Sequence, residues 1–344
     1  MQGFRRRASL LVPTVILAAA LVGCSSAEPA VEEPEPTWHS DYEAPPPVSI
    51  APLTGVAVEG SGAGGPSLAA KIDNHPAARP QIGLAQTDIV FEELVEGGLT
   101  RYVAVWQSHL PPVIGPVRSI RPMDPDIISP LGGMVAYSGG QERFVAMMKQ
   151  APVYNAIHGQ SDTASTFYRA SDRRAPHNVL VKAPELVAQH AELPPPAQYF
   201  AFAADAASST AAKEGTPTAG IALVFGSLGA PSWTWDAAAS VWTRSMTGGA
   251  PDTDETGAPL TAENVVVVRV PVTVSQDIPK TESIGSGEAW VSSGGATVHA
   301  TWHKGSATEP IRLIDDHGVT VRLAPGNTWV ELVPTAGSAT FTAP

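Results

Sequence analysis

The chain has 344 residues, a net charge of −12 at neutral pH and one cysteine, Cys24. A single thiol excludes an intrachain disulfide and a multi-thiolate zinc site; once it carries lipid, cysteine nucleophiles are excluded too, among them those of cysteine-dependent peptidoglycan cross-linking enzymes. The acidic balance repels nucleic acid and acidic headgroups, so neither is an expected partner.

Arg5-Arg6-Arg7 precede an apolar run from Leu10 to Leu21 that is short and rich in small residues. The run ends in Leu21-Val22-Gly23-Cys24, a bacterial lipoprotein signal. This architecture predicts a signal peptide over residues 1–23, with Cys24 as the lipidation site. Diacylglycerol supplies the two chains that stable anchoring needs. The protein is then held at the cell membrane on its extracytoplasmic face. Loss of the three arginines leaves 18 basic against 33 acidic residues, a net charge of −15. Residues 24–50 are Pro/Glu-rich and read as a disordered tether, with ordered structure beginning near Pro52.

Strands and helices then alternate. Ala69 to Asp73 is a short strand, and Asp88 to Glu96 and Leu99 to Gln107 form a hairpin turned at Gly97-Gly98. Met134 to Tyr137 reads as a buried strand, Gln141 to Lys149 as a helix with Phe144, Val145 and Met148 on one face. Asn178 to Lys182 is a further strand and Pro184 to His190 a short helix. The prolines 194–196 and the Ala/Ser stretch up to Gly215 mark a boundary. Beyond it the pattern is mostly β, with strands expected at 221–225, 232–235, 240–245, 265–274, 288–292, 297–304, 311–314, 319–323 and 328–333. The expected fold is α+β: a mixed α/β N-terminal domain with a central sheet over 51–195, then a smaller β-rich C-terminal domain over 215–334.

Several formal motifs fail. Gly60-x-Gly62-x-x-Gly65 has dinucleotide-fingerprint spacing but leads into a strand. Ser67 and Lys71 are one residue too far apart for an S-x-x-K pair. Asp252, Asp254 and Glu263 nearly trace a calcium loop, yet Thr256 replaces a stronger ligand and Pro259 stiffens the second half. An acidic hairpin loop with Gly257 at its turn is the plainer reading, and neither a metal nor a cofactor is expected.

Polar chemistry concentrates between Asp73 and Asn178. In a hairpin closed at Gly97-Gly98, Leu94 is expected opposite Arg101, which puts Arg101 diagonal to Glu92 and Glu96 in an ion-pair cluster. Arg118 and Arg121 leave a proline-fixed turn, and arginine forks suit carboxylate or phosphate. The candidate ligand-binding set is Asp73, Asn74, His75, Arg101, Arg118, Arg121, Arg169, His177 and Asn178. Asp73, His75, Glu92 and His177 are the acid/base candidates. Equally, these arginines could neutralise the glutamates and stitch loops to the sheet.

The ordered series Pro52-Leu53-Thr54-Gly55, Ile72-Asp73-Asn74-His75-Pro76, Gln86-Thr87-Asp88, Val95-Glu96-Gly97-Gly98, Gly115-Pro116-Val117-Arg118-Ser119, Ala175-Pro176-His177-Asn178 and Pro325-Gly326-Asn327-Thr328-Trp329 resembles the YerB-like bacterial lipoproteins. These form a two-part family of unknown function. The resemblance covers nearly everything after the tether. It implies a lipid-anchored envelope protein with an α/β part and a β-rich part, and it carries no activity or catalytic residues. Where family members tend to have a histidine before the acidic loop, this chain has Ala250-Pro251. Three functions stay open: binding an anionic wall component or an envelope protein partner, hydrolysis or transfer on wall polymer, and a structural role in envelope assembly.

Overall fold

The computed structural model describes residues 48–59, 64–246 and 248–344. The signal peptide, Cys24 and the tether up to residue 47 lie outside them, as do Gly60 and Gly62. The last three tether residues are a strand.

In chain order, β1 (Val48–Ile50) pairs with β2 (Ala57–Glu59). Then come β3 (Leu68–Asp73), β4 (Ile89–Leu94), β5 (Thr100–Trp106), α1 (Asp124–Ile128), β6 (Met134–Tyr137), α2 (Glu142–Met148) and β7 (Tyr154–Ile157). A small hairpin, β8 (Phe167–Arg169) and β9 (Val179–Val181), precedes α3 (Ala183–Ala188) and α4 (Thr210–Glu214). The remainder is β: β10 (Thr216–Pro217), β11 (Gly220–Val224), β12 (Pro231–Asp236), β13 (Val241–Met246), β14 (Thr261–Ala262), β15 (Asn264–Val270), β16 (Val272–Ser275), β17 (Ile278–Thr281), β18 (Gly285–Ser293), β19 (Ala296–Lys304), β20 (Arg312–Asp315), β21 (Thr328–Pro334) and β22 (Ser338–Thr342). Val319 to Leu323, expected as a strand, makes only isolated bridges, Thr320 to Ile314 and Leu323 to Phe202.

One large sheet runs β10-β19-β18-β15-β21-β4-β5-β3-β6-β7, with β20 alongside β19. Its centre is parallel: β21 lies between β15 and β4, with Val330 opposite Val266 on one side and Phe91 on the other. Strands buried on both faces read as continuous apolar runs. The Val265–Val268 run of β15 and the wholly buried β21 obey that rule. The two sequence segments therefore do not close separate cores, because strands from both build this sheet. The stretch read as a boundary is packed as well. Tyr199 and Phe200 are buried against Phe91 and its neighbours, and the Ala203 amide donates to the Leu323 carbonyl.

A second sheet, β14-β13-β12-β11-β22, covers one face of the first. Its Trp233, Trp242, Ile221 and Leu223 pack on Val265, Val267, Trp329 and Tyr102. The opposite face is covered by α1, α2 and the 199–202 stretch, which bury Val103, Val105, Phe91, Val266 and Val330.

Candidate functional site

The β4–β5 hairpin sets the site. Val95 donates its amide to the Leu99 carbonyl, and Gly97 and Gly98 adopt φ of +74° and +72°. This turn places Arg101 opposite Glu93 and Thr100 opposite Leu94. The expected register is thus off by one, and a one-residue slip sends each side chain to the other face. Arg101 shares a face with Glu93, and Glu92 points away from it. Two polar clusters result, on opposite faces of the same strand ends.

On the face covered by α1, Lys71 is fully buried, 2.7 Å from Asp124 Oδ1 and in contact with Glu93. Burial lowers its pKa to about 8, while Asp124 opposes that shift. At the end of β3, Asp73 gathers three partners. Arg118 Nε lies 3.1 Å from Oδ2, His177 Nδ1 lies 2.6 Å from the same atom, and the His75 amide donates to Oδ1 at 3.1 Å. The His75 and His177 rings stack at 4.6 Å. Arg121 Nε sits 2.7 Å from Glu96 Oε1.

Arg101 differs from these neighbours. It is buried, it donates Nη1 to the Ser119 carbonyl at 2.9 Å, and Arg121 Nη1 reaches the same oxygen at 3.4 Å. Among the described residues no carboxylate lies within ion-pair distance of it, although Lys71, Arg118 and Arg121 each have one. Burial, then repulsion from Arg121 and Arg118, pulls its pKa down to about 10. A guanidinium in that setting is a buried positive charge held without a counter-charge from the described residues.

On the other face, Glu92 meets Arg244 of β13 at 2.7 Å, and Arg244 also pairs with Asp252. Arg244 is fully buried between the rings of Tyr102 and Trp329, 5.5 and 5.3 Å from their centroids. Glu331 lies beside Glu92 across the β4–β21 pair and accepts the Trp233 indole N–H at 2.8 Å. Burial first, then the Glu92 charge, raises the Glu331 pKa far above its usual value. Thr100 donates to Glu92, Asn74 donates to Thr100, and Arg79 donates to Asn74 while reaching Asp252 at 3.4 Å. Arg79, Gln81, Tyr102 and Asp252 line a cleft of about 260 Å³ at its rim.

Asp73, His75, Arg101, Arg118, Arg121 and His177 are thus brought together. Asn74 belongs to the opposite face. Arg169 is exposed and donates to Asn178 at 2.8 Å, so that pair ties β8 to β9. Glu92 is corrected as an acid/base candidate and as a partner of Arg101, since it is 1% exposed and held by Arg244. The calcium candidates do not converge: Asp252 serves Arg244 and Arg79, Asp254 caps the turn at Thr256, and Glu263 accepts the Asn327 amide. Sequence reasoning missed Lys71, Glu93, Asp124, Arg244 and Glu331. For Lys71, Glu93 and Glu331 the available signal was a charge within an otherwise apolar strand, as in Trp329-Val330-Glu331-Leu332.

Residues 53–195 match the family described as a protein of unknown function (DUF3048), N-terminal domain, and residues 221–330 match its C-terminal domain. The Bacillus subtilis (strain 168) protein named "Putative lipoprotein YerB" is 26% identical over 303 residues, 85% of this chain and 88% of that one. The crystal structure of the YerB protein from Bacillus subtilis superposes with a TM-score of 0.73 at 24% identity, covering 85% of this chain and 99% of the other. No helix among the described residues is long and apolar enough to cross a membrane. The two matched segments and the shared strand architecture place the chain in the two-part YerB-like family of DUF3048 proteins.

Proposed function

We propose that the protein is a lipoprotein, anchored through diacylglycerol on Cys24 at the extracytoplasmic face, that binds an anionic group of the cell wall at Arg101, Arg118 and Arg121. The lipoprotein name of the Bacillus subtilis relative supports the anchor. The supporting observation for binding is Arg101, a buried guanidinium without a carboxylate partner among the described residues, beside two others that have one. A phosphate or carboxylate supplied from outside would complete its fork.

Arg101→Gln is expected to lower retention on purified anionic wall polymer by about tenfold, the equivalent of ~1.4 kcal/mol. The melting temperature should hold or rise, because relief of like-charge repulsion offsets the lost bond to Ser119. Unchanged retention would remove the anion-binding reading. Cys24→Ala should carry no label after growth with a radioactive fatty acid; persistent label would sink the anchor.

A second reading rests on the Asp73–His177 pair, in which the carboxylate fixes the imidazole beside Arg118. Such a pair can serve as a general base on wall polymer. Release of soluble fragments from wall polymer by the protein, abolished in His177→Ala, would favour it over simple binding.

A further inference from the structure

In the C-terminal half, well removed in strand order from the arginines, β10, β18 and β19 at one edge of the large sheet meet β22, the edge strand of the small one. Between them lies a groove of about 280 Å³, close to the lower end of the ~300–1,000 Å³ range of small-molecule sites. Its floor is aromatic. Trp290 packs 5.3 Å from Phe341 and 5.6 Å from His299, all three half-buried so that part of each ring faces the groove. Its walls carry hydroxyls. Those of Thr216 and Thr342 make no hydrogen bond with any described residue, and both residues are exposed.

Charge decides among occupants. No lysine or arginine lines the groove. Beside His299, which lines the groove, stand two carboxylates, Asp316 2.7 Å and Glu288 3.4 Å from its two ring nitrogens. Carboxylates so placed repel phosphate-bearing polymers and acidic peptides. A wholly apolar segment would strand the two threonine hydroxyls without partners, which costs desolvation free energy. A sugar ring matches both features, since its C–H face lies on aromatic carbon while its hydroxyls, both donors and acceptors, meet the threonines.

We propose that this groove binds a neutral saccharide, one ring packed on Trp290 and Phe341 with its hydroxyls bonded to Thr216 and Thr342. It is a second site, independent of the arginine cluster, and it would hold the glycan part of a wall polymer.

Calorimetric titration of the mature chain with chitotriose and with maltotriose tests this. Saturable binding of at least one sugar is expected, weakened by about tenfold or more in Trp290→Ala. Thr342→Val keeps the side-chain shape at an exposed position, and it should weaken binding even if Trp290→Ala fails to fold. Arg101→Gln should leave sugar affinity unchanged, so failure of the arginine reading and failure of this one are distinguishable. Absence of saturable binding with both sugars would overturn the proposal. So would unchanged affinity in Thr342→Val together with a folded Trp290→Ala, or seating of a polyglycerol phosphate chain at Trp290 in place of the sugars.

Discussion

Arg244→Ala should lower unfolding free energy by about 3–5 kcal/mol, the usual cost of removing one partner from a buried ion pair. The site leaves little room for relief. Arg244 is fully buried, Glu92 is 1% exposed, and the guanidinium also fills the space between the Tyr102 and Trp329 rings. Truncation strands the Glu92 carboxylate next to Glu331 and opens a void where two sheets meet. Chemical denaturation followed by tryptophan fluorescence would read the loss as a lower midpoint at unchanged slope. Glu331→Gln should behave in the opposite way. Burial and the Glu92 charge both favour the protonated carboxyl of Glu331, and a neutral amide of the same shape should therefore be tolerated. A carboxyl whose folded pKa lies above its unfolded value gives stability that is complete below the unfolded value, 4.5, and is lost as pH rises through the folded one. Glu331→Gln should flatten that alkaline decline. A Glu331→Gln variant as damaged as Arg244→Ala would show that Glu331 is ionised in the native protein.

What the sequence reveals about this region follows its local content. The hairpin, β6, α2 and most C-terminal strands are legible because turn residues and apolar periodicity are local signals. The hairpin register is not. Whether Val95 pairs with Leu99 depends on how Gly97 and Gly98 both take positive φ, and that one residue decides whether Glu92 or Glu93 faces Arg101. The grouping of Asp73, His75, Arg118 and His177 is legible as a concentration of polar residues, although the Asp73–His177 contact spans 104 positions. Arg244 leaves no comparable trace. It sits in Val241-Trp242-Thr243-Arg244-Ser245, which reads as a half-exposed strand, and only sheet-on-sheet packing brings it to Glu92. The β21–β4 pairing is equally silent, because parallel strands joined over more than two hundred residues carry no turn between them.

That pairing governs how the chain can be divided. A fragment spanning residues 48–195 should fail to fold alone, and co-expression with 196–344 should restore a soluble pair that elutes together. In the intact sheet β4 is covered along one edge by β21, and Val90 and Phe91 are fully buried. Removing the C-terminal part exposes that edge and uncovers both faces around it. Tyr199 and Phe200 leave Phe91, while Trp329 leaves Tyr102. Each large apolar side chain returned to water costs roughly 1.5–3 kcal/mol. A handful of them therefore equals the ~5–15 kcal/mol that holds a whole domain together. The unpaired edge is also a template for aggregation. Size-exclusion chromatography and thermal unfolding of the separate and co-expressed pieces measure this directly. A monomeric 48–195 fragment with a cooperative melt would mean that the N-terminal strands carry a self-sufficient core and that the shared sheet is only a docking of two finished domains.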